Sequence, residues 1–379
     1  MTANLTLPGR SGLLEIPDPG WATQYPPPRR RHAYAAAHVA ARPDGSIDWD
    51  ATMRFREHLW THGFGLAEAM DTAQRGMGLT FDQARELIAR SAARAAELGR
   101  QIVSGAGTDQ LTASVHPLPA IIDAYAAQME FVQSAGSQVI LMASRALAAS
   151  GQFARDYLEV YGQLLTLADQ PVLLHWLGPA FDPALRGYWG SADFGRAADT
   201  VIELIERADG KVAGIKLSVL HAGHERALRR RLPAGVRLYT GDDFHYAELI
   251  KGDADGHSHA LLGAFAAVTA PAAAALQALD QGDEAGYDAA IGPTVALSRL
   301  IFTEPTYDYK VGVAFLAWLN GFQPHFAMLA GLQHRRSAEH LIAVFELAAL
   351  ARALVDPELA VSRMTDYLAA ARLARAVAP

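Results

Sequence analysis

The sequence predicts a single (β/α)8 barrel, a TIM barrel, carrying a C-terminal helical appendage. Three observations predict it. Eight short runs are near-continuously apolar, as strands covered on both faces must be. Amphipathic stretches of helical period separate them, the alternation that builds a closed parallel sheet. Beyond about residue 270 the pattern is helical throughout, with no further apolar strand.

Residues 1–31 read as an irregular N-terminal leader, because Gly and Pro recur and no period of 2 or 3.6 persists. The barrel is expected over 32–270. Its strands are predicted at 33–39, 64–70, 101–106, 138–143, 171–176, 212–217, 236–240 and 258–264. Between the second and third, 80–98 is a helix that Thr80 can cap, with Ala84, Leu87 and Ile88 on one face. The remainder, 271–379, is a C-terminal helical region with helices expected over 272–280, 284–302, 308–320, 337–355 and 357–376. Its apolar segment Val313–Leu319 exceeds what one barrel face should cover, so a homo-oligomer is expected.

Composition narrows the function classes. Of 379 residues, 51% are hydrophobic and 19% charged, enough apolar material for a large core. The net charge is -7, and the short basic runs Arg29–Arg31 and Arg229–Arg231 read as solvated faces, so no nucleic-acid partner is expected. Cysteine is absent, which excludes disulfides and thiolate chemistry. No signal-peptide pattern or membrane-length apolar run occurs, so the expected setting is cytoplasmic, without a membrane partner.

In a barrel of this kind the chemistry sits at the C-terminal ends of the strands. Lys216 stands out there. It is one of only four lysines and interrupts the apolar run Val212–Leu217. Burying an ammonium disfavours its charged form and frees the amine to attack a carbonyl. His175, ending the fifth run, is a candidate for moving protons. Gly241, Asp242 and Asp243 end the seventh run, where the carboxylates either contact Lys216 and substrate or cap the next helix. Gly107 and Thr108 lie in a glycine-rich strand end that either admits a ligand or makes a tight turn. Arg145 follows the fourth run and either grips an anion or forms a rim ion pair.

These residues, in this order, resemble the dihydrodipicolinate synthase and N-acetylneuraminate lyase superfamily of class I aldolases over roughly 33–265. Five segments carry the resemblance: Asp44–Trp49, Gly105–Asp109, Pro171–His175, Gly214–Lys216 and Gly241–Asp243. It implies a Schiff base on Lys216. Where the family has a Gly-Thr-Thr-Gly-Glu turn that grips the oxo-acid carboxylate, this chain reads Asp71-Thr72-Ala73-Gln74-Arg75, so only Thr72 carries over. Where the family has its proton-relaying tyrosine, this chain has His175, and Leu217 replaces the usual acidic residue after the lysine. The branch is divergent.

The reading is a Schiff-base-forming lyase, aldolase or dehydratase on a small oxo acid or sugar-derived acid, using no cofactor or metal. Lys310 is expected to be structural. A second reading is a metal-dependent barrel enzyme that uses His38, Glu68, Asp71, His175, His221, His245, His257 and His259 as ligands. A third is a barrel that only binds a metabolite.

Overall fold

A computed structural model describes residues 2–8, 12–112 and 114–377, with the backbone alone for 372–377. Each of the eight apolar runs contains one strand: β1 (Ala33–Ala36), β2 (Gly65–Glu68), β3 (Ile102–Ala106), β4 (Gln138–Leu141), β5 (Val172–Leu177), β6 (Val212–Ser218), β7 (Arg237–Thr240) and β8 (His259–Leu262). They pair in parallel and in sequence order. The barrel closes where β8 returns to β1 through Leu261↔Tyr34 and Leu262↔Ala35.

Successive strand residues face opposite sides, and this separates two cores. Tyr34, Val103, Ile140, Leu173, Tyr239 and Leu261 fill the barrel interior. Their chain neighbours, such as Val139, Leu141, Ala260 and Leu262, pack outward against the helices. Two glycines make room for the two interior tyrosines. A Cβ at Gly65 would lie 2.5 Å from the Tyr34 ring, and one at Gly214 would lie 2.8 Å from the Tyr239 ring. Thr80 does cap its helix, Phe81–Leu98, in a capping box with Gln83, and Ala84, Leu87 and Ile88 are on the buried face.

The leader is more ordered than its composition suggests. Ala3–Leu5 and Leu14–Ile16 form an antiparallel pair that packs against the helices Pro357–Val377 and Ala338–Leu350. The basic run that follows is also tied down. The Arg29 and Arg30 amides donate to the Asp280 carboxylate at 2.7 and 2.8 Å, and the buried Arg31 donates to the Ile250 and Lys251 carbonyls. Tertiary hydrogen bonds hold this segment, and local periodicity cannot reveal such bonds. Arg230 and Arg231 behave as expected, pairing with Asp255 and Asp199 at the surface, whereas the Arg229 side chain is largely buried and pairs with Asp253.

After β8 come the helices Thr269–Gln281, Glu284–Ile301, Lys310–Leu319, Ala338–Leu350 and Pro357–Val377. The apolar helix Lys310–Leu319 is covered by this chain itself, with Phe315 against Phe326 and Tyr367 at 5.1 and 5.4 Å between ring centres. That removes the reason the sequence offered for an oligomer. Among the described residues no helix is long and apolar enough to cross a membrane.

Candidate active site

Lys216 lies on β6, whose alternation sends Ile215 and Leu217 into the outer core. Its register partners are His175 on β5 and Tyr239 on β7, and Tyr239 is an interior residue. The lysine therefore points into the barrel, where 5% of it stays accessible. A glycine makes the space. A Cβ at Gly241 would lie 2.8 Å from Lys216 Cε and closer still to Ser218 Oγ. Burial pulls the Lys216 amine below its ordinary value, against the opposing charges of Asp71 and Asp243.

Asp71 and Thr72 open a short 3-10 turn after β2, Asp71–Ala73. Thr72 Oγ1 lies 2.6 Å from the Tyr309 hydroxyl, which donates to Asp71 Oδ2 at 2.8 Å. Gly263, after β8, leaves this cluster its room, since a Cβ there would meet the Tyr309 ring at 3.1 Å and Thr72 Oγ1 at 3.2 Å. Asp71 Oδ1 is shielded from solvent and has no hydrogen-bond partner among the described residues. An orphaned buried acceptor costs about 1–3 kcal/mol, and native proteins keep few of them. Burial alone would raise the Asp71 carboxyl. The charges of Lys216 and Lys310, the His175 ring and the Tyr309 hydrogen bond together bring it below the usual carboxylate range.

A cavity of about 300 Å³ opens over the ends of β2 to β5, with Tyr307 and Lys310 on its wall. Asp71 belongs both to this wall and to the surroundings of Lys216, whereas Lys216 and His175 are not wall residues. Lys310 is buried, and its Nζ donates to the Tyr307 carbonyl at 3.1 Å. Burial lowers its amine too, opposed first by Asp71.

The other residues singled out from the sequence fall into two groups. Gly107, Thr108 and Arg145 line the cavity, each bonded to a neighbour, Arg145 through Nε alone. The Gly107 amide donates to Gln128 Oε1 at 2.6 Å, Thr108 Oγ1 bonds Ser144 Oγ at 2.6 Å, and Arg145 pairs with Asp182 at 2.5 Å. Gly241, Asp242 and Asp243 lie beside β6. Asp242 caps, accepting from the Phe244 and His245 amides and pairing with the His245 ring. Asp243 accepts the Ala264 amide at 3.0 Å, and burial pushes its carboxyl up to about 8. His175 is fully buried, 3.3 Å from Ser218 Oγ, with Nδ1 unpartnered among the described residues. Burial, then the Lys216 charge, hold it well below the ordinary histidine value, so it stays neutral at pH 7.

The eight proposed metal ligands do not converge. Glu68 is locked in a buried bidentate pair with Arg56, His38 bonds Gln323, and His221 caps a helix. His259 begins β8, at the end of the barrel opposite the mouth. Among the described residues no three His, Asp or Glu form a ligand set.

Tyr309 and Lys310 are the residues that sequence reasoning did not place in the site, and Asp71 was considered only as a metal ligand. The scarcity of lysine was a signal for Lys310. Nothing local marked Tyr309, which reaches the mouth from 237 positions beyond Thr72.

The architecture is that of the dihydrodipicolinate synthase barrels. The chain superposes on dihydrodipicolinate synthase from Aquifex aeolicus with a TM-score of 0.65 at 15% identity, covering 84% of this chain and 97% of that one. It superposes on a prophage protein of the dihydrodipicolinic acid synthase family from E. coli K12, solved in complex with pyruvate, with a TM-score of 0.67 at 15% identity and coverage of 84% and 99%. The Thermotoga maritima dihydrodipicolinate synthase gives 0.65 at 13% identity, over 86% and 100%. A search of curated proteins gave no match. The chain belongs to the family described as "Protein of unknown function (DUF993)", whose profile matches residues 12–373.

Proposed function

We propose that this chain is a Schiff-base-forming lyase for a small carbonyl compound, with Lys216 as nucleophile. The observation that carries the reading is a buried lysine inside the barrel, its amine shifted toward the neutral form by burial and opposed by the charges of Asp71 and Asp243. A neutral amine adds to a carbonyl, and the resulting iminium draws electrons from the neighbouring carbon, which promotes bond cleavage or elimination there. Asp71 and Asp243 balance the positive charge that the iminium carries. Tyr309 and Thr72 hold Asp71 in place. His175, neutral and hydrogen-bonded to Ser218, packs beside the amine as a polar neighbour. Oxo acids and sugar-derived acids are the first substrates to test, given the resemblance and the pyruvate complex of the E. coli protein.

The test is reduction with borohydride in the presence of a panel of carbonyl compounds, followed by peptide mass mapping. An adduct on Lys216, absent from Lys216→Ala, is expected. A second reading has one observation in its favour: Lys310 borders the cavity directly and its amine is lowered too. An adduct mapping to Lys310 would replace Lys216 by Lys310. No adduct with any compound would sink the imine mechanism.

A further inference from the structure

We infer that Lys310 and Arg145 form an anion site on the wall of the main cavity, and that the ligand it takes is a phosphate monoester held by its phosphate. The inference concerns a part of the cavity that the Lys216 reading does not use. Only one consequence rests on that reading: a carbonyl compound bound to Lys216 carries this phosphate at its other end.

Lys310 is out of place for a cation. It is buried, 3% exposed, and its Nζ donates to the Tyr307 carbonyl at 3.1 Å and to Met77 Sδ, a weak acceptor, at 3.4 Å. Among the described residues no carboxylate pairs with it, and the nearest acid in sequence, Asp308, pairs with Arg335. Lys310 is also the first residue of the helix Lys310–Leu319, where the backbone dipole is positive, and the first turn of that helix holds no acid. A buried ammonium at the positive end of a helix, with no counter-charge in contact, is costly unless an anion joins it. Lys310 lines the cavity, so an anion can reach it there.

Arg145 supplies the second cation. It follows β4 and lines the same cavity. Only its Nε is engaged, by Asp182 at 2.5 Å, and Nη1 and Nη2 bond nothing among the described residues. Nη1 lies against Gly76, where a Cβ would meet it at 3.4 Å. The next residue, Met77, is the one whose Sδ touches the Lys310 amine. Gly76 and Met77 both line the cavity, so one stretch of wall seats both cations. The cavity, about 300 Å³, is the size of a small-ligand pocket.

The donor arrangement favours phosphate over carboxylate. The guanidinium fork offers two Nη groups side by side, and the ammonium offers its remaining N–H from a separate direction. A phosphate ester has three terminal oxygens, two for the fork and one for the ammonium. A carboxylate has two, which the fork alone satisfies, leaving Lys310 without a counter-charge. The third cation of the wall, Arg75, is forked onto Asp109 and does not take part. Asp71 is the remaining wall carboxylate; its Oδ2 accepts the Tyr309 hydroxyl, and its charge opposes an anion. The phosphate therefore sits at Gly76 and Met77, and the uncharged part of the ligand faces Asp71.

The experiment titrates the full chain calorimetrically, at low ionic strength, with inorganic phosphate, dihydroxyacetone phosphate, dihydroxyacetone and malonate. Both phosphate compounds are expected to bind, and dihydroxyacetone and malonate to bind about 10-fold more weakly or not at all. Arg145→Gln and Lys310→Met are each expected to weaken dihydroxyacetone phosphate binding about 10-fold or more, the loss that follows removal of a charge-assisted bond. Arg145→Lys, which keeps the charge and loses the fork, is expected to lose nearly as much. Arg186→Gln, at an exposed arginine off the cavity wall, is expected to change nothing. If Lys310→Met does not fold, phenylglyoxal modification of wild-type Arg145, mapped by peptide mass, decides: phosphate is expected to slow it and malonate to leave it unchanged. No binding of either phosphate compound would overturn the inference. So would malonate binding as tightly, undiminished affinity in Arg145→Gln and Lys310→Met, or Arg145 modified equally fast with and without phosphate. Phosphate binding with no borohydride adduct on Lys216 upholds this site and counts against the imine reading alone. Adducts with dihydroxyacetone but no phosphate binding overturn this site alone.

Discussion

Lys216 carries a testable pH dependence. Its amine lies below the ordinary 10.5 because burial penalises the ammonium, so the neutral fraction at a given pH is larger than in water. Imine formation should therefore rise with pH and level off below 10.5, which trapping rates measured across pH would show. A second buried acid, Glu225, separates stability from activity. It accepts the Thr240 hydroxyl at 2.9 Å, and burial pushes its carboxyl from 4.5 up to about 8. Because the folded value is raised, the folded chain holds a proton that the unfolded chain has lost between those limits. The associated stability is present at pH 4.5 and is lost as pH rises toward 8. Relative to Glu225→Gln, the wild type should lose about 1.4 kcal/mol per pH unit across that window, as urea unfolding at several pH values would show. Tyr309→Phe removes the hydroxyl that donates to Asp71 and should cost about 1–3 kcal/mol while lowering turnover.

At the scale of elements, the end of β2 decides where Asp71 sits. Glu68, the last residue of that strand, accepts from Arg56 twice, from Ser91 Oγ at 2.6 Å and from the Ala69 amide at 2.8 Å. Ala69 has φ of 50°, a left-handed conformation that a residue with a Cβ adopts at a cost. The buried ion pair thus holds a strained turn that leads directly into Asp71 and Thr72. Glu68→Gln leaves the Arg56 charge buried without its partner and should cost about 3–5 kcal/mol. By contrast, Thr80 is exposed and not on the cavity wall, so Thr80→Ala removes only a helix cap and should cost about 1 kcal/mol without changing activity. Chemical denaturation paired with trapping assays distinguishes the two: Glu68→Gln affects both, Thr80→Ala only stability.

At the scale of the molecule, the histidines set an acid limit. His38 and His257 are lowered to about 4 and His259 to about 3, each chiefly by burial. These groups stay neutral in the fold while the unfolded chain takes up protons below about 6.5. Their depressed folded values mean stability that is present at neutral pH and is lost as pH falls from 6.5 toward 4. Unfolding between pH 6 and 4, followed by circular dichroism, should be steep. It should be shallower in His38→Gln, since His38, two residues past β1, bonds Gln323 of the C-terminal region.

The sequence by itself determined the barrel and its lysine. Strands covered on both faces must be apolar along their length, so eight runs and their spacing were legible, and Lys216 was conspicuous as an ion inside one of them. Alternation then placed it on the inward face. The helices beyond β8 were legible for the same reason, through their period. Tertiary structure alone decided what surrounds the amine. Tyr309 and Lys310 arrive from a helix hundreds of positions after the strands they meet, and Asp71 matters because its oxygen is left unpartnered there. The same folding bonded Gly107, Thr108 and, through Nε alone, Arg145 to neighbours of their own. Period and composition report which face of an element is buried. They carry no information on which distant donor meets which acceptor, and in this barrel those pairings decide which groups remain free for a substrate.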